Sequence, residues 1–353
     1  MVRPFDAMRR ALPVSEWPRG DQEAWANAQV EGDIFEDGGA AAHWAARTRL
    51  TNVQHYGRWL GYLLWTGMLD GRARPADRVT HAAVRAYNRH LEAIVEPRTR
   101  LSMLVGLKVM MQAMSPERDW RWLQDASNRV QINAKPIRDK RARMRPTAEI
   151  VTAAIAEMEQ LPASGLTFKQ ALAYRDGLML ALMAARPLRV KNFAALELGR
   201  HLIKLDNGWL IAIPAVETKT HQPIDFELPV TLLPWFERYL SEVRVLFPQA
   251  GESTRLWLGK DGVMHDPRSV YHRITKLTRR LFGAPINPHL LRDCAASSLA
   301  AVSADMARAA APLLGHRHFS TTERYYIQAD NLAASRKLNA ILDQLKSDSE
   351  DLA

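Results

Sequence analysis

Cysteine is almost missing from this sequence: one residue, Cys294, stands among 353. No internal disulfide is open to it, so a cysteine-stapled secreted scaffold is excluded and a reducing compartment is the natural setting. Long apolar runs are missing as well. The longest, Gly177 to Ala185, covers nine residues, roughly half of what spans a bilayer. The opening MVRPFDAMRRALPVSEW has no apolar stretch of the length a secretory signal needs. Glycine-rich phosphate loops of the nucleotide-binding kind are absent. His316-Arg317-His318 has no cysteine or carboxylate cluster to complete a metal site. No internal repeat or low-complexity tract occurs. The expectation is a soluble cytoplasmic protein, bacterial and nucleoid-associated, with no cofactor, no metal and no membrane partner.

What is present is ordinary in amount and uneven in place. The chain is 47% hydrophobic and 24% charged, which suits a globular protein and excludes disorder throughout. Its length is about two domains at roughly 150 residues each. Net charge is +10. Residues 1–133 carry 18 Lys/Arg against 15 Asp/Glu, or +3, and residues 146–353 carry 24 against 22, or +2. The twelve residues 134–145, AKPIRDKRARMR, carry six against one, or +5, half of the total. A basic strap between two folded lobes suits a polyanion that both lobes grip, because neutralising phosphates releases counterions. Nucleic acid is the expected partner, with Lys135, Arg138, Lys140, Arg141, Arg143 and Arg145 as candidate contacts.

Residues 1–40 are rich in Gly, Pro, Asp and Glu and read as a weakly ordered lead-in. From 41 to 133 the apolar residues recur at helical spacing: Trp44, Leu50, Tyr56, Trp59, Leu60, Leu63 and Leu64, then a second set from Val84 to Ile94. Tryptophans at such spacing belong in a core. Ser115-Pro116-Glu117 has the form of a helix start. After the strap, helices are expected from Pro146-Thr147 to Leu161 and from Thr167 to Arg186. Short β-like runs follow at 202–204, 209–213 and 224–228, broken by Asp206-Asn207-Gly208 and by 218–223. Helices resume over 232–247, 267–281, 288–302, 303–314 and 331–345, before the acidic tail 346–353. The fold class is therefore mainly α: an all-helical domain over 41–133, the linker 134–145, and an α+β domain over 146–345 with one small antiparallel sheet.

Four clusters in the second domain carry chemistry: Arg186-Pro187-Leu188-Arg189, Glu217-Thr218-Lys219-Thr220-His221, Pro288-His289-Leu290-Leu291-Arg292, and Leu313-Leu314-Gly315-His316 followed by Tyr325. Each alone has a bland reading. An Arg at a helix end complements the dipole, a Lys in a turn is solvated, and His289 and Arg292 at i, i+3 form a surface pair. Together they resemble the tyrosine recombinase (phage integrase) family. In its catalytic domain an Arg after an apolar helix, a Lys in a β-hairpin, a His-x-x-Arg, a Leu-Gly-His and a Tyr occur in this order. Here the steps are 30 residues from Arg189 to Lys219, 70 to His289, 24 from Arg292 to His316 and 9 to Tyr325. The resemblance covers 146–345; residues 41–130 are similar, more loosely, to the family's core-binding domain. It departs at Pro187, where the family has Gly, and at Asn192, where it has an acid.

The chemistry also stands on residue types. A phosphodiester attacked by a side chain gains negative charge on its non-bridging oxygens, and two Arg forks, Arg189 and Arg292, hold such oxygens bidentately. His289 and His316 add donors. A phenol with pKa near 10 needs proton removal or local positive charge to attack, and the departing 5′ oxygen needs a proton, a task suited to Lys219. Arg186 is an alternative to Arg189, and Tyr326 to Tyr325. Ser320-Thr-Thr-Glu323 is a capping box that starts a helix there, so only one of the two adjacent tyrosines can face the phosphate. The resemblance implies site-specific recombination through a 3′-phosphotyrosyl bond on Tyr325, without ATP or metal. It also implies a homo-tetramer on two DNA sites, with a monomer expected in the absence of DNA, and leaves open whether the C-terminal helix docks in cis or in trans. A type IB topoisomerase-like enzyme and a catalytically decayed DNA-binding accessory protein are the competing readings.

Overall fold

The computed structural model describes residues 7–133, 140–262 and 266–303. The chain divides into two compact units, Met1–Asp139 and Lys140–Ala353. The expected helices at 303–314 and 331–345, the acidic tail and most of the strap's first half, 134–139, lie outside the described residues.

Among its described residues the first unit is helical: α1 (Arg19–Asn27), α2 (Ala46–Trp65), α3 (Pro75–Arg78), α4 (His81–Ile94), α5 (Pro97–Met114) and α6 (Arg121–Asn133). Its core gathers Tyr56, Trp59, Leu60 and Leu63 of α2, Tyr87 and Leu91 of α4, Leu104, Leu107, Met110 and Met111 of α5, and Leu123 of α6. Of the helically spaced positions read from the sequence, Tyr56, Trp59, Leu60, Leu63, Val84, Tyr87 and Leu91 are buried, whereas Leu50 and Leu64 face outward, at 46% and 50% exposure.

The lead-in corrects that reading. Leu12, Trp17, Trp25 and Ala28 are buried in the same core. Leu12 N–H donates to the Gly57 carbonyl at 2.9 Å. A Cβ on Gly57 would stand 2.2 Å from the Leu12 carbonyl oxygen, and one on Gly61 2.1 Å from that of Arg10. Two glycines on one face of α2 thus admit the N-terminal strand of chain against bare helix backbone. Asp21 is wholly buried, where it accepts from the Tyr56 hydroxyl at 2.5 Å and pairs with Arg78. Burial, with Asp21 alongside, pushes the Tyr56 hydroxyl up. Composition suggested a loose segment because two aromatics and one ion pair carry its order, and no periodicity marks them.

Ser115-Pro116-Glu117 also differs from expectation. Ser115 is the C-cap of α5, and the triplet forms a turn closed by Arg118 N–H to the Ser115 carbonyl at 3.3 Å. α6 starts later, where the Asp119 carboxylate accepts from Arg121 N–H at 2.8 Å. Pro at the second position of a turn fits this geometry as well as it fits a helix start.

In the second unit α7 (Thr147–Glu159) packs beside α8 (Phe168–Ala185). Thr167 and Gln170 form a reciprocal capping box at the start of α8. From Leu178 to Ala184 every residue of α8 is buried, as a helix apolar on all sides must be. The short α9 (Val190–Ala194) follows, then strands β1 (Leu202–Leu205), β2 (Gly208–Ile213) and β3 (Ile224–Glu227). These form an antiparallel meander in the order β1-β2-β3, with Leu202 opposite Ile211 and Ile211 opposite Phe226. The expected helix over 232–247 is irregular: α10 (Leu233–Arg238) runs on through a π turn, Tyr239–Val243, and a 3-10 turn, Arg244–Leu246. Finally α11 (Pro267–Phe282) and α12 (Pro288–Val302) pack near α8.

The strap's second half is not free-standing. Lys140 Nζ lies 2.5 Å from Asp293 of α12, Arg143 donates to the Pro285 carbonyl at 3.3 Å, and Arg145 lies near Glu149 at 3.6 Å. Thr147 N–H reaches Ser298 Oγ at 2.9 Å. Residues 140–145 therefore belong to the second unit, because its own acceptors hold their side chains.

Candidate active site

The site begins where α8 ends. Pro187 disfavours helical conformation in the residue before it, and Arg186 accordingly leaves the helix with φ −134° and ψ 87°. Leu188 N–H closes a tight turn onto the Arg186 carbonyl at 2.8 Å. Arg189 then serves as N-cap residue of α9, an element too short for its period to show in the sequence. Proline at 187 therefore ends one helix and sets up the next, with Arg189 at the junction. Arg186 donates to the Ala185 carbonyl at 3.1 Å and lies over the Phe226 ring of β3 at 5.6 Å, so its guanidinium is engaged with the sheet.

Arg292 arrives from α12. Asn287 caps that helix, accepting from Leu290 N–H at 2.9 Å, and Pro288 takes the first helical position, where no N–H is needed. His289 is exposed in the first turn. One turn on, Arg292 is 8% exposed and donates to the Pro187 carbonyl. The carbonyl of the unusual proline is thus the anchor for the second arginine.

The two guanidinium groups lie near enough for one charge to act on the other. Burial and the nearby charge of Arg189 push Arg292 down to about 10, against the opposing pull of Asp293. Burial also lowers Arg189. Two like charges held together in a partly desolvated place define a site that gains free energy by taking an anion.

Lys219 sits where the sequence placed it, in the connection from β2 to β3, and is exposed. After β2 a 3-10 turn, Ala215–Glu217, leads into a loop that Thr218 closes. The buried Thr218 hydroxyl donates to the Gln222 carbonyl at 2.8 Å and accepts from Gln222 N–H at 3.1 Å. His221 adopts φ +53° at the tip. Asn192 Nδ2 of α9 donates to the Glu217 carbonyl at 3.0 Å, which ties the element carrying Arg189 to the loop carrying Lys219. Cys294, two residues past Arg292, is buried and its thiol is pushed up by desolvation, as suits a small packed group. His316, Tyr325 and Tyr326 lie outside the described residues, as do Lys135 and Arg138.

Reading the sequence missed one surface. On α11, Arg268, His272, Lys276 and Arg279 are exposed at intervals of four, four and three, while Val270, Ile274 and Leu277 are buried. The basic residues thus form one stripe on the face away from the core. Their helical spacing was the available signal. Among the described residues no group of His, Cys, Asp and Glu could hold a metal ion, and no helix is long and apolar enough to cross a membrane.

Comparison with known proteins gives the family and the fold. The tyrosine recombinase XerC of Azotobacter vinelandii is 32% identical over 165 residues, covering 46% of this chain and 52% of that protein. XerC of Chromohalobacter salexigens is 31% identical over 156 residues, 44% of this chain and 48% of that protein. The chain thus spans about half the length of these curated relatives. Among solved structures, the XerH site-specific recombinase bound to palindromic difH substrate, a post-cleavage complex, superposes with a TM-score of 0.58 at 12% identity, covering 93% of this chain and 99% of that one. The XerH pre-cleavage complex with difH gives 0.53 at 15% identity, with 82% and 78% covered. At such identities the likeness speaks for the fold. Residues 149–332 match the phage integrase family, and since this stretch is more than half of the sequence, the chain belongs to the phage integrase family of tyrosine recombinases.

Proposed function

We propose that the protein is a site-specific DNA recombinase that cleaves and rejoins strands through a 3′-phosphotyrosyl intermediate on Tyr325. The observation that carries this reading is the Arg189–Arg292 pair. Two forked cations whose charges disfavour one another match the two non-bridging oxygens of a scissile phosphate, whose charge grows as a fifth ligand approaches phosphorus. His289, exposed one turn before Arg292, and His316 supply further donors.

In the forward step the Tyr325 hydroxyl gives its proton to solvent water and its oxygen bonds to phosphorus while the bond to the 5′ oxygen breaks; the Lys219 ammonium gives that oxygen its proton. In the return step a 5′ hydroxyl of the exchanged strand attacks the same phosphorus and the phenol departs. One phosphodiester is consumed and one is made, so the exchange needs no energy from ATP. Double-stranded DNA is the substrate. The α11 stripe and Arg141 serve as phosphate contacts beside the site, with Lys135 and Arg138 of the strap extending the path. The named relatives are tyrosine recombinases, and two structures of similar fold are recombinases bound to a DNA substrate, which supports this choice of polymer. Four protomers acting on two duplexes complete the reading.

The test is covalent capture. Wild-type protein is incubated with a pool of nicked duplexes of randomised sequence, and DNA that stays attached through denaturing electrophoresis is sequenced. The expected result is a recurring site and a protein–DNA band that disappears in Tyr325→Phe and persists in Tyr326→Phe. No covalent product from any duplex would end the enzymatic reading. Relaxation of supercoiled plasmid regardless of sequence would mark a type IB topoisomerase-like enzyme instead.

A further inference from the structure

We infer that Asn192 is a positioning residue for the Lys219 loop and that its amide N–H, rather than its polarity or size, does the positioning. The inference rests on the recombinase reading, in which Lys219 protonates the leaving oxygen. Lys219 is exposed in the loop 218–222, and a general acid there is useful only if the loop's base is fixed. Glu217 is that base, and it is held at two places. Its carbonyl accepts from Asn192 Nδ2 at 3.0 Å. Its carboxylate pairs with Arg200 at 2.5 Å and meets His201 Nε2 at 3.1 Å.

The histidine has one workable tautomer. Glu197 N–H points at His201 Nδ1, 3.2 Å away, so that nitrogen accepts and the ring proton sits on Nε2, where it donates to Glu217. His201 is 2% exposed and Asn192 7%, so both bonds are shielded from water and expensive to lose.

Asn192 acts from α9, three residues after Arg189. A carboxylate at this position has no proton to donate at neutral pH, and its oxygens would face the lone pairs of the Glu217 carbonyl at hydrogen-bonding distance. The amide therefore links the first arginine's helix to the loop of the lysine, and in this chain, where the Glu217 carbonyl faces position 192, an acid there loses that link.

The test uses the full chain and the duplex recovered by covalent capture, made with an ordinary 5′ oxygen or with sulfur as the bridging 5′ atom. A thiolate leaves without a proton, thiols having pKa about 8.5, so sulfur repairs loss of the general acid and nothing else. With the oxygen duplex, Asn192→Asp should form covalent complex about ten- to a hundredfold more slowly, part of the roughly 10²–10⁴ that a general acid contributes. With the sulfur duplex its rate should return to within about threefold of wild type, as for Lys219→Ala, and duplex affinity should be unchanged for both. Wild-type rate on the oxygen duplex, or a defect that sulfur leaves in place, overturns the inference. If Lys219→Ala is itself not repaired by sulfur, the assignment of Lys219 as acid fails instead. Should thermal melting show Asn192→Asp to be unfolded, Asn192→Ala, which removes the donor without adding a charge, is read by the same two duplexes and the same criteria.

Discussion

Arg292 shows what a residue gains and gives up at this site. Its bond to the Pro187 carbonyl holds the fork in place while burial and Arg189 depress its proton affinity to about 10. The folded state binds that proton less tightly than the unfolded one, so the penalty is fully present below pH 10 and fades as pH rises through it. Between pH 6 and 9 this residue adds no pH dependence, and the pair stays charged. An anion relieves the repulsion. Sulfate at constant ionic strength should therefore raise the melting temperature of the wild type, by on the order of 1.4 kcal/mol in stability when it is tenfold above its Kd. Arg189→Gln should show little of the sulfate increment. An equal increment in both proteins, read by differential scanning, would place the anion elsewhere. At this scale residue types named the candidates in advance: forks suited to phosphate, a lysine suited to a leaving oxygen. Pro187 and Asn192 were legible only as departures from a pattern, since their work passes through a backbone carbonyl that no sequence displays.

Elements were legible in proportion to the regularity of their burial. α8, α11 and α12 followed from unbroken apolar periods and ordinary caps, and the β1-β2-β3 meander from alternation broken by turn residues. The misses share one cause, local order supplied by distant partners. α9 has five residues and its place comes from Asn192 and Glu217; residues 7–40 are ordered by the α2 surface. Gly57 makes this testable. Helix propensity alone predicts that Gly57→Ala stabilises α2 by up to about 1 kcal/mol. The close approach of Leu12 predicts the opposite sign, a loss of about 2 kcal/mol or more because backbone must move. Urea unfolding followed by tryptophan fluorescence decides between them. In the second unit, removing the capping hydroxyl in Thr167→Ala should cost about 1 kcal/mol, a purely local effect on α8 seen in the same experiment.

For the whole molecule the distribution of charge matters more than the sum. Half of the net +10 falls in residues 134–145, yet the structure spends part of it internally: Lys140 on Asp293 and Arg143 on Pro285. Binding to the captured duplex should weaken with salt along a straight log–log line. Replacing Lys135 and Arg138 together with alanine should flatten its slope by about 2, one for each phosphate that then keeps its counterion. Lys140→Ala should change it much less, since that ammonium already has a carboxylate; a full unit of change in fluorescence-anisotropy titrations would show that the ion pair opens on DNA.

By itself the sequence determined the class of fold, the family and the order of the candidate groups along the chain. All of these follow from composition, period and spacing, which are local quantities. Only the tertiary structure decided that the charge of Arg189 acts on Arg292, about a hundred residues away in the chain, that the Lys219 loop is bonded to Asn192, and that the strap's second half is part of the second unit. Those outcomes depend on carbonyls, buried carboxylates and short distances between remote segments. Such features belong to a packed interior and to no stretch of chain taken alone.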